Sequence, residues 1–314
     1  MLVRFMVRQA AEELRPLMGK SGSSVSRAGV TLTFDNSVID RLGKLLRCTW
    51  SWYSGRCKKV VRGNDLMGIV MTISGIAFPP HLLFCSKQGR GSTDKASLLI
   101  AMLTRLKDEF AREGIDLTAF PLTSDSWFAS EKLKQRLLAL GFKKIVIAGK
   151  GNHTFTIGKR RHNASSWKKT LRLIGDQWGI DVPSLRTEAF SPTFGRVVLF
   201  FFQKSATRTY YLMDFSPAPL RGAEIWRIRK QHHIIECFWK ILKSVLGIKS
   251  MRLRGDGLYT ALLIKVIAYM LAIRPGMRRP FLKMSVTEIM RKIRRESDLE
   301  DILREYFNLP ISPA

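Results

Sequence analysis

"GVTLTFDNS" at residues 29–37 opens with strict alternation of apolar and hydroxyl-bearing side chains and then delivers an acid, Asp35. Alternation of β-formers over 29–34 predicts a strand with one face buried. "LMGIVMTIS" at 66–74 and "IAFPPHLLFC" at 76–85 predict two more strands. "TDKASLLIAMLTRLKDEFAREG" at 93–114 changes to helical periodicity and ends at Gly114, a residue suited to the left-handed turn that closes a helix. "LTAFPLTSD" at 117–125 predicts a strand, "EKLKQRLLALG" at 131–141 a helix, and "KKIVIAG" at 143–149 another strand. Three strands in a meander, followed by strands reached through helices, predict a mixed α/β sheet rather than a doubly wound one.

On the N-terminal side, "VRQAAEELRPLMGK" at 7–20 reads as a basic helix, followed by a loose "SGSSVS" at 21–26. On the C-terminal side, "GKGNHTFTIGKRRHNASSWKK" at 149–169 and "GRVVLFFFQKSATRTYYLMDFS" at 195–216 predict added β structure with a basic surface. A long helix from Ala223 to Gly247 and further helices complete the chain, and no internal repeat is visible.

The 53 Lys and Arg against 25 Asp and Glu give a formal charge of +28, spread along all 314 residues rather than confined to a tail. A field of that size favours a polyanionic partner, and nucleic acid is the expectation. Hydrophobic residues make up 46% of the chain, enough for a large core. Cys48, Cys57, Cys85 and Cys237 are scattered, with no paired spacing that would bind zinc, and read as reduced thiols of a cytoplasmic protein. The apolar run at 258–273 carries Lys265 and is shorter than the roughly 20 residues that cross a bilayer, so no membrane span is expected.

In "RKQHHIIECFWKILKS" at 229–244 one acid, Glu236, stands among bases. At about 100° per residue, Arg229, His232, Glu236, Lys240 and Lys243 fall along one line of the helix, with Ile234, Phe238, Ile241 and Val245 opposite. Such an acid reads as a solvated ion pair with a base one turn away, or as a member of a metal site. Hard divalent cations that activate water for phosphodiester attack need carboxylates converging from separate segments. Asp35 and Asp125 each follow a predicted strand, at the edge where α/β sheets collect ligands. An aspartate there also reads as a turn or helix cap. Asp40 and Asp65 compete with Asp35, which is preferred.

With these motifs in place the chain resembles a DDE transposase of a bacterial insertion sequence, in the branch whose ribonuclease-H-like domain carries a β insertion between the second Asp and the Glu. The resemblance spans about residues 28–275 and rests on "FDNS" at Asp35, "LTSDSWFAS" at Asp125, and the helical signature of tyrosine, two residues, arginine, three residues, glutamate, six residues, lysine. Glu236 and Lys243 satisfy the last spacing, while Arg229 and His232 stand at the tyrosine and arginine positions. Only 34 residues precede Asp35, fewer than the family's usual DNA-binding or dimer-forming segment.

The resemblance implies a basic N-terminal helical segment at 1–27, the first part of the catalytic domain at 28–149, the insertion at 150–218, the helices carrying the Glu at 219–275 and a helical C-terminus at 276–314. It further implies two Mg²⁺ ions, with Mn²⁺ as a substitute, held by the catalytic residues Asp35, Asp125 and Glu236. The implied reaction is hydrolysis at an element end followed by strand transfer. Partners would be double-stranded DNA, as element ends and target, and a second copy of the chain, in a bacterial cytoplasm at the nucleoid. Arg229, His232, Lys240 and Lys243 would contact DNA phosphates. In the insertion, Trp167 and Trp178 lie among Lys159, Arg160, Arg161 and Lys168, a pattern suited to base stacking and phosphate binding.

The other readings are a non-catalytic nucleic-acid binder and a truncated, inactive transposase. Adjacent His232 and His233 lack the H-E-x-x-H order of a zinc hydrolase, and the glycines of "KQGRGSTDK" lack the spacing of a phosphate-binding loop.

Overall fold

The computed structural model describes residues 2–18, 29–40, 50–55, 57–86, 94–170, 184–205, 208–250, 257–278 and 288. They fall into two compact units. The first contains Met1–Asp35, Met67–Leu83 and Thr93–Ile235, and the second Asn36–Leu66, Phe84–Ser92 and Glu236–Ala314.

The strands of the first unit are β1 (Thr31–Asp40) and β3 (Lys59–Ile73), each of which continues into the second unit, with β4 (Ile76–Phe84), β5 (Leu122–Ser124), β6 (Ile145–Ala148), β7 (Thr154–Ile157), β8 (Arg160–Asn163), β9 (Ser184–Ser191), β10 (Gly195–Ser205) and β11 (Arg208–Asp214). Their order is β3-β1-β5-β6-β11-β10-β9-β7-β8, with β4 paired to β3 off this path. The three expected meander strands are thus β1, β3 and β4. Ser74 and Gly75 turn β3 back into β4 with φ of 50° and 83°, the paired left-handed backbone that a tight hairpin requires. From Gly63 to Ile73 every residue of β3 is buried, as expected of a strand covered on both faces.

Helix α2 (Lys95–Arg112) connects β4 to β5, and α3 (Glu131–Ala139) connects β5 to β6. Asp94 caps α2 by accepting from the Ala96 amide, and Ser130 caps α3 by accepting from the Leu133 amide. Helix α1 (Leu2–Met18) buries Val3, Met6, Val7, Ala10, Ala11 and Leu14, while its arginines Arg4 and Arg15 pair with Glu109 of α2 and with Glu113 at the C-cap of α2. Residues 164–170 are helical (α4).

Helix α5 (Gly222–Lys240) begins in the first unit and ends in the second. Its first half packs Ile225 and Ile228 into a cluster with Val146 of β6, Phe200 and Phe202 of β10, Leu212 of β11 and Leu220. Gln231 donates from its side chain to the Gly29 carbonyl just ahead of β1. A Lys144–Glu224 ion pair at 2.8 Å adds a third attachment. Together they fix the rotation of α5 against the sheet that carries Asp35 and Asp125.

In the second unit β2 (Trp50–Ser54) pairs antiparallel with β3, Trp52 opposite Val61. After α5 the chain makes a π-helical turn, Ile241–Val245, and enters α6 (Gly257–Arg278), where Phe238 and Tyr269 meet edge to face at 5.1 Å. Among the described residues no helix is long and apolar enough to cross a membrane.

Candidate active site

β1 and β5 run parallel, with Leu32 opposite Leu122, Thr33 opposite Thr123 and Phe34 opposite Ser124. One residue further on each chain stands an aspartate, Asp35 and Asp125. Neighbouring strands lie about 4.8 Å apart, so this register brings the backbones of Asp35 and Asp125 to the same edge of the pair, Asp125 one residue past the end of β5. Asp35 is not at the end of its strand, because β1 runs on to Asp40. It stands where the pairing with β5 ends.

Asp125 begins the short 3-10 turn Ser126–Phe128, and its carbonyl accepts the Phe128 amide at 3.2 Å, yet its side chain makes no capping bond. Asp94 and Asp116, at comparable positions, both accept backbone amides. The ordinary explanation for an aspartate after a strand therefore fails at Asp125. Its carboxylate meets α5 instead: Oδ1 lies 3.3 Å from His232 Nε2 and 3.9 Å from an Arg229 guanidinium nitrogen. The His232 side chain is 1% exposed and that of Asp125 50% exposed. Neither ring nitrogen of His232 has an aligned hydrogen-bond partner, and 3.3 Å is long for a charge-assisted bond. The polar contact with His232, opposed by burial and aided by the His232 and Arg229 charges, holds the Asp125 carboxyl below the usual carboxylate range.

The helical wheel did not foresee the burial of His232. Its polar line does not coincide with the solvent-exposed line: Ile225, Ile228, His232, Ile235, Trp239 and Leu242 are buried, whereas Ile234, Ile241 and Val245 are partly exposed. The cause is the end of β5, which gives one histidine on the packed face a carboxylate to meet. Glu236 and Lys240 are exposed. Lys243 donates to the Val38 carbonyl at 3.0 Å. Of the rival acids, Asp65 is fully buried and accepts from Asn36, and Asp40 lies 3.5 Å from the Cys57 sulfur.

Lys159, Arg160 and Arg161 are exposed on the β7–β8 hairpin, at the end of the strand order. Trp167 is not available for stacking, because it is 6% exposed and its indole N–H donates to the Phe155 carbonyl at 3.1 Å. Lys168 lies over the Tyr211 ring, 5.2 Å from its centroid, and burial lowers its ammonium pKa. Trp178 lies outside the described residues. The aromatic residue that the sequence reading passed over is Trp127, 62% exposed and two positions beyond Asp125. The segment "SDSWFAS" contains it, but exposure is not a property a single sequence spells out.

Among the described residues, no group of three or more His, Cys, Asp and Glu side chains is arranged to hold a metal ion. Asp35 and Asp125 belong to the first unit and Glu236 to the second.

No curated protein matches this chain. Among solved structures it is similar to a piggyBac transposase in a synaptic complex with hairpin DNA, with 15% identity and a TM-score of 0.47, over 90% of this chain. The chain spans 58% of the length of that one. A family model for the transposase DDE domain matches residues 86–271, which include Asp125 and Glu236 and begin after Asp35. That segment takes in more than half of the 314 residues, and the protein belongs to the transposase DDE domain family.

Proposed function

We propose that the chain is a metal-dependent DNA transposase whose ribonuclease-H-like core uses Asp35, Asp125 and Glu236 as its carboxylates. The observation that supports this reading is the β1–β5 register, in which Phe34 stands opposite Ser124, each one residue ahead of an aspartate, and Asp125 lacks the side-chain capping bond that would explain it. The order β3-β1-β5-β6, with β4 paired to β3 and helices between β4 and β5 and between β5 and β6, supports the ribonuclease-H-like core. β7 to β11 then stand as the insertion ahead of the helix that carries Glu236.

Glu236 follows His232 by one turn of α5. It is exposed on a basic helix. An all-oxygen donor set suits Mg²⁺, with Mn²⁺ as a substitute. Bound there, divalent ions would lower the pKa of the attacking water or 3′-hydroxyl and stabilise the departing oxygen.

The protein's own residues do the rest. His232 and Arg229 hold Asp125 ionised and in place, and Arg229 supplies positive charge where the DNA phosphate would approach. Lys159, Arg160, Arg161 and Lys240 attract the backbone at longer range. Double-stranded DNA is the substrate class, and a second copy of the chain would hold the paired end.

The test is Mg²⁺-dependent nicking of duplex DNA by the wild type and by Asp125→Ala. Cleavage should vanish in the variant while DNA affinity stays equal or rises, since removing an acid does not weaken phosphate attraction. Cleavage that persists overturns the reading. A DNA-binding member of the family that has lost its chemistry is the rival reading. A wild type that binds DNA and never cuts it would establish that rival.

A further inference from the structure

Strands β5 and β6 are parallel neighbours, Ser124 opposite Ile147. Just beyond them the chain places Trp127 and Lys150. Trp127 is the most exposed tryptophan among the described residues, at 62%, while Trp52, Trp167 and Trp239 are buried. Lys150 Nζ lies over its ring, 5.2 Å from the centroid. The lysine is held from below, since its carbonyl accepts the Tyr211 hydroxyl at 2.5 Å and its amide approaches His153 Nδ1 at 3.4 Å. The tryptophan is held by Phe128, which is buried against Phe34 with ring centroids 5.0 Å apart. A large ring is thus fixed facing solvent, with a cation on one face and one residue of chain, Ser126, between it and Asp125.

We propose that Trp127 and Lys150 form a stacking platform for an unpaired nucleobase of a DNA strand, with Lys150 taking the adjoining phosphate. This rests on the proposed function only in that the strand reaching Asp125 is DNA. An exposed indole costs hydrophobic free energy in water, and a flat π-face beside a cation in a chain of charge +28 matches what single strands offer, a base and a phosphate per step. Duplex DNA keeps its bases stacked on one another, so the platform would recognise a frayed, nicked or tailed end rather than a continuous helix.

The experiment compares the full chain with Trp127→Ala, Trp127→Phe and Lys150→Ala, without divalent metal. Two probes share one duplex sequence, one blunt and one carrying a single-stranded tail that contains 2-aminopurine. The wild type should prefer the tailed probe and change its 2-aminopurine emission. Trp127→Ala should lose about tenfold in tailed-probe affinity, together with the emission change, and keep its blunt-probe affinity. Trp127→Phe should retain most of both, and Lys150→Ala should weaken tailed-probe binding while leaving the emission change.

Tailed-to-blunt preference unchanged in Trp127→Ala overturns the proposal, as does equal loss on both probes. A Trp127-dependent preference in a protein that never cleaves DNA leaves the platform standing and removes the proposed function. Cleavage by a wild type whose tail binding ignores Trp127 does the reverse.

Discussion

The carboxylate edge of β1 and β5 and the basic hairpin of β7 and β8 are both polar parts of the first unit, built in opposite ways. Asp125 lies against a histidine with a side chain 1% exposed and an arginine with one 24% exposed, on a helix fixed by a hydrophobic cluster and by the Gln231 bond to Gly29. Arg160 and Arg161 stand exposed on a short hairpin strand. A charge whose neighbours are fixed by packing can serve chemistry that depends on tenths of an ångström. A charge on a solvated hairpin contributes by counterion release, which tolerates misplacement. The two regions should therefore answer substitution in different ways.

The largest effect belongs to the first. Asp35→Asn and Asp125→Asn should each lower Mg²⁺-dependent cleavage by roughly 1000-fold or more in a single-turnover nicking assay, the scale of losing a group that acts on developing charge. If either variant cuts within a few-fold of the wild type, the edge has no privileged role.

Next comes the floor of the same sheet. His81 on β4 is buried, and burial, with the nearby Arg105 charge, lowers its pKa to about 4. The unfolded chain takes up this proton near pH 6.5 and the folded chain only near 4, so stability is full above that window and falls as pH drops through it. The loss is roughly 3 kcal/mol at the acid end for a shift from 6.5 to about 4. Urea unfolding between pH 7 and 4 should show this slope in the wild type and a much shallower one in His81→Leu. Equal slopes would contradict it. Asp125 works in the same direction at lower pH: its lowered pKa stabilises at neutral pH, and that contribution is lost as pH falls through the folded value. In His232→Gln its carboxyl, followed by NMR, should titrate at higher pH.

Packing near the insertion gives a third, smaller effect. A Cβ added at Gly149 would lie 2.0 Å from the Tyr211 ring, which is 2% exposed. Gly149→Ala should cost about 1–3 kcal/mol by chemical denaturation, the range for an overfilled core. The smallest effect belongs to the hairpin. Arg160→Ala with Arg161→Ala should weaken DNA binding uniformly across sequences and reduce the salt slope by about 0.9 for each phosphate that the two arginines neutralise in the wild type.

The same contrast explains what the sequence could reveal. β1, β3, β4, β5 and β6 were legible because alternation and apolar runs follow directly from burial, and α2, α3 and α5 because 3.6-residue periodicity does. β2 was missed; "WSWYS" is short, and its neighbours Lys58, Lys59 and Arg62 carry charge rather than pattern. The two aspartates were legible as acids after strands, but their adjacency depended on which strands pair. His232 was assigned to the polar face because charge alone oriented the wheel, whereas the packing of α5 turned it inward to Asp125. Trp167 and Trp178 were singled out because cations surround them in sequence, yet burial decides which ring can stack, and Trp167 is buried.

The central claim is that Asp35 and Asp125 together form the oxygen-donor edge of a divalent-metal site. Manganese titration followed by electron paramagnetic resonance tests it most directly, without DNA or turnover. The wild type should take up Mn²⁺ at a site that both Asp35→Asn and Asp125→Asn lose, while Asp65→Asn, if folded, keeps it. Retention of the same Mn²⁺ site in either Asp35→Asn or Asp125→Asn would contradict the account.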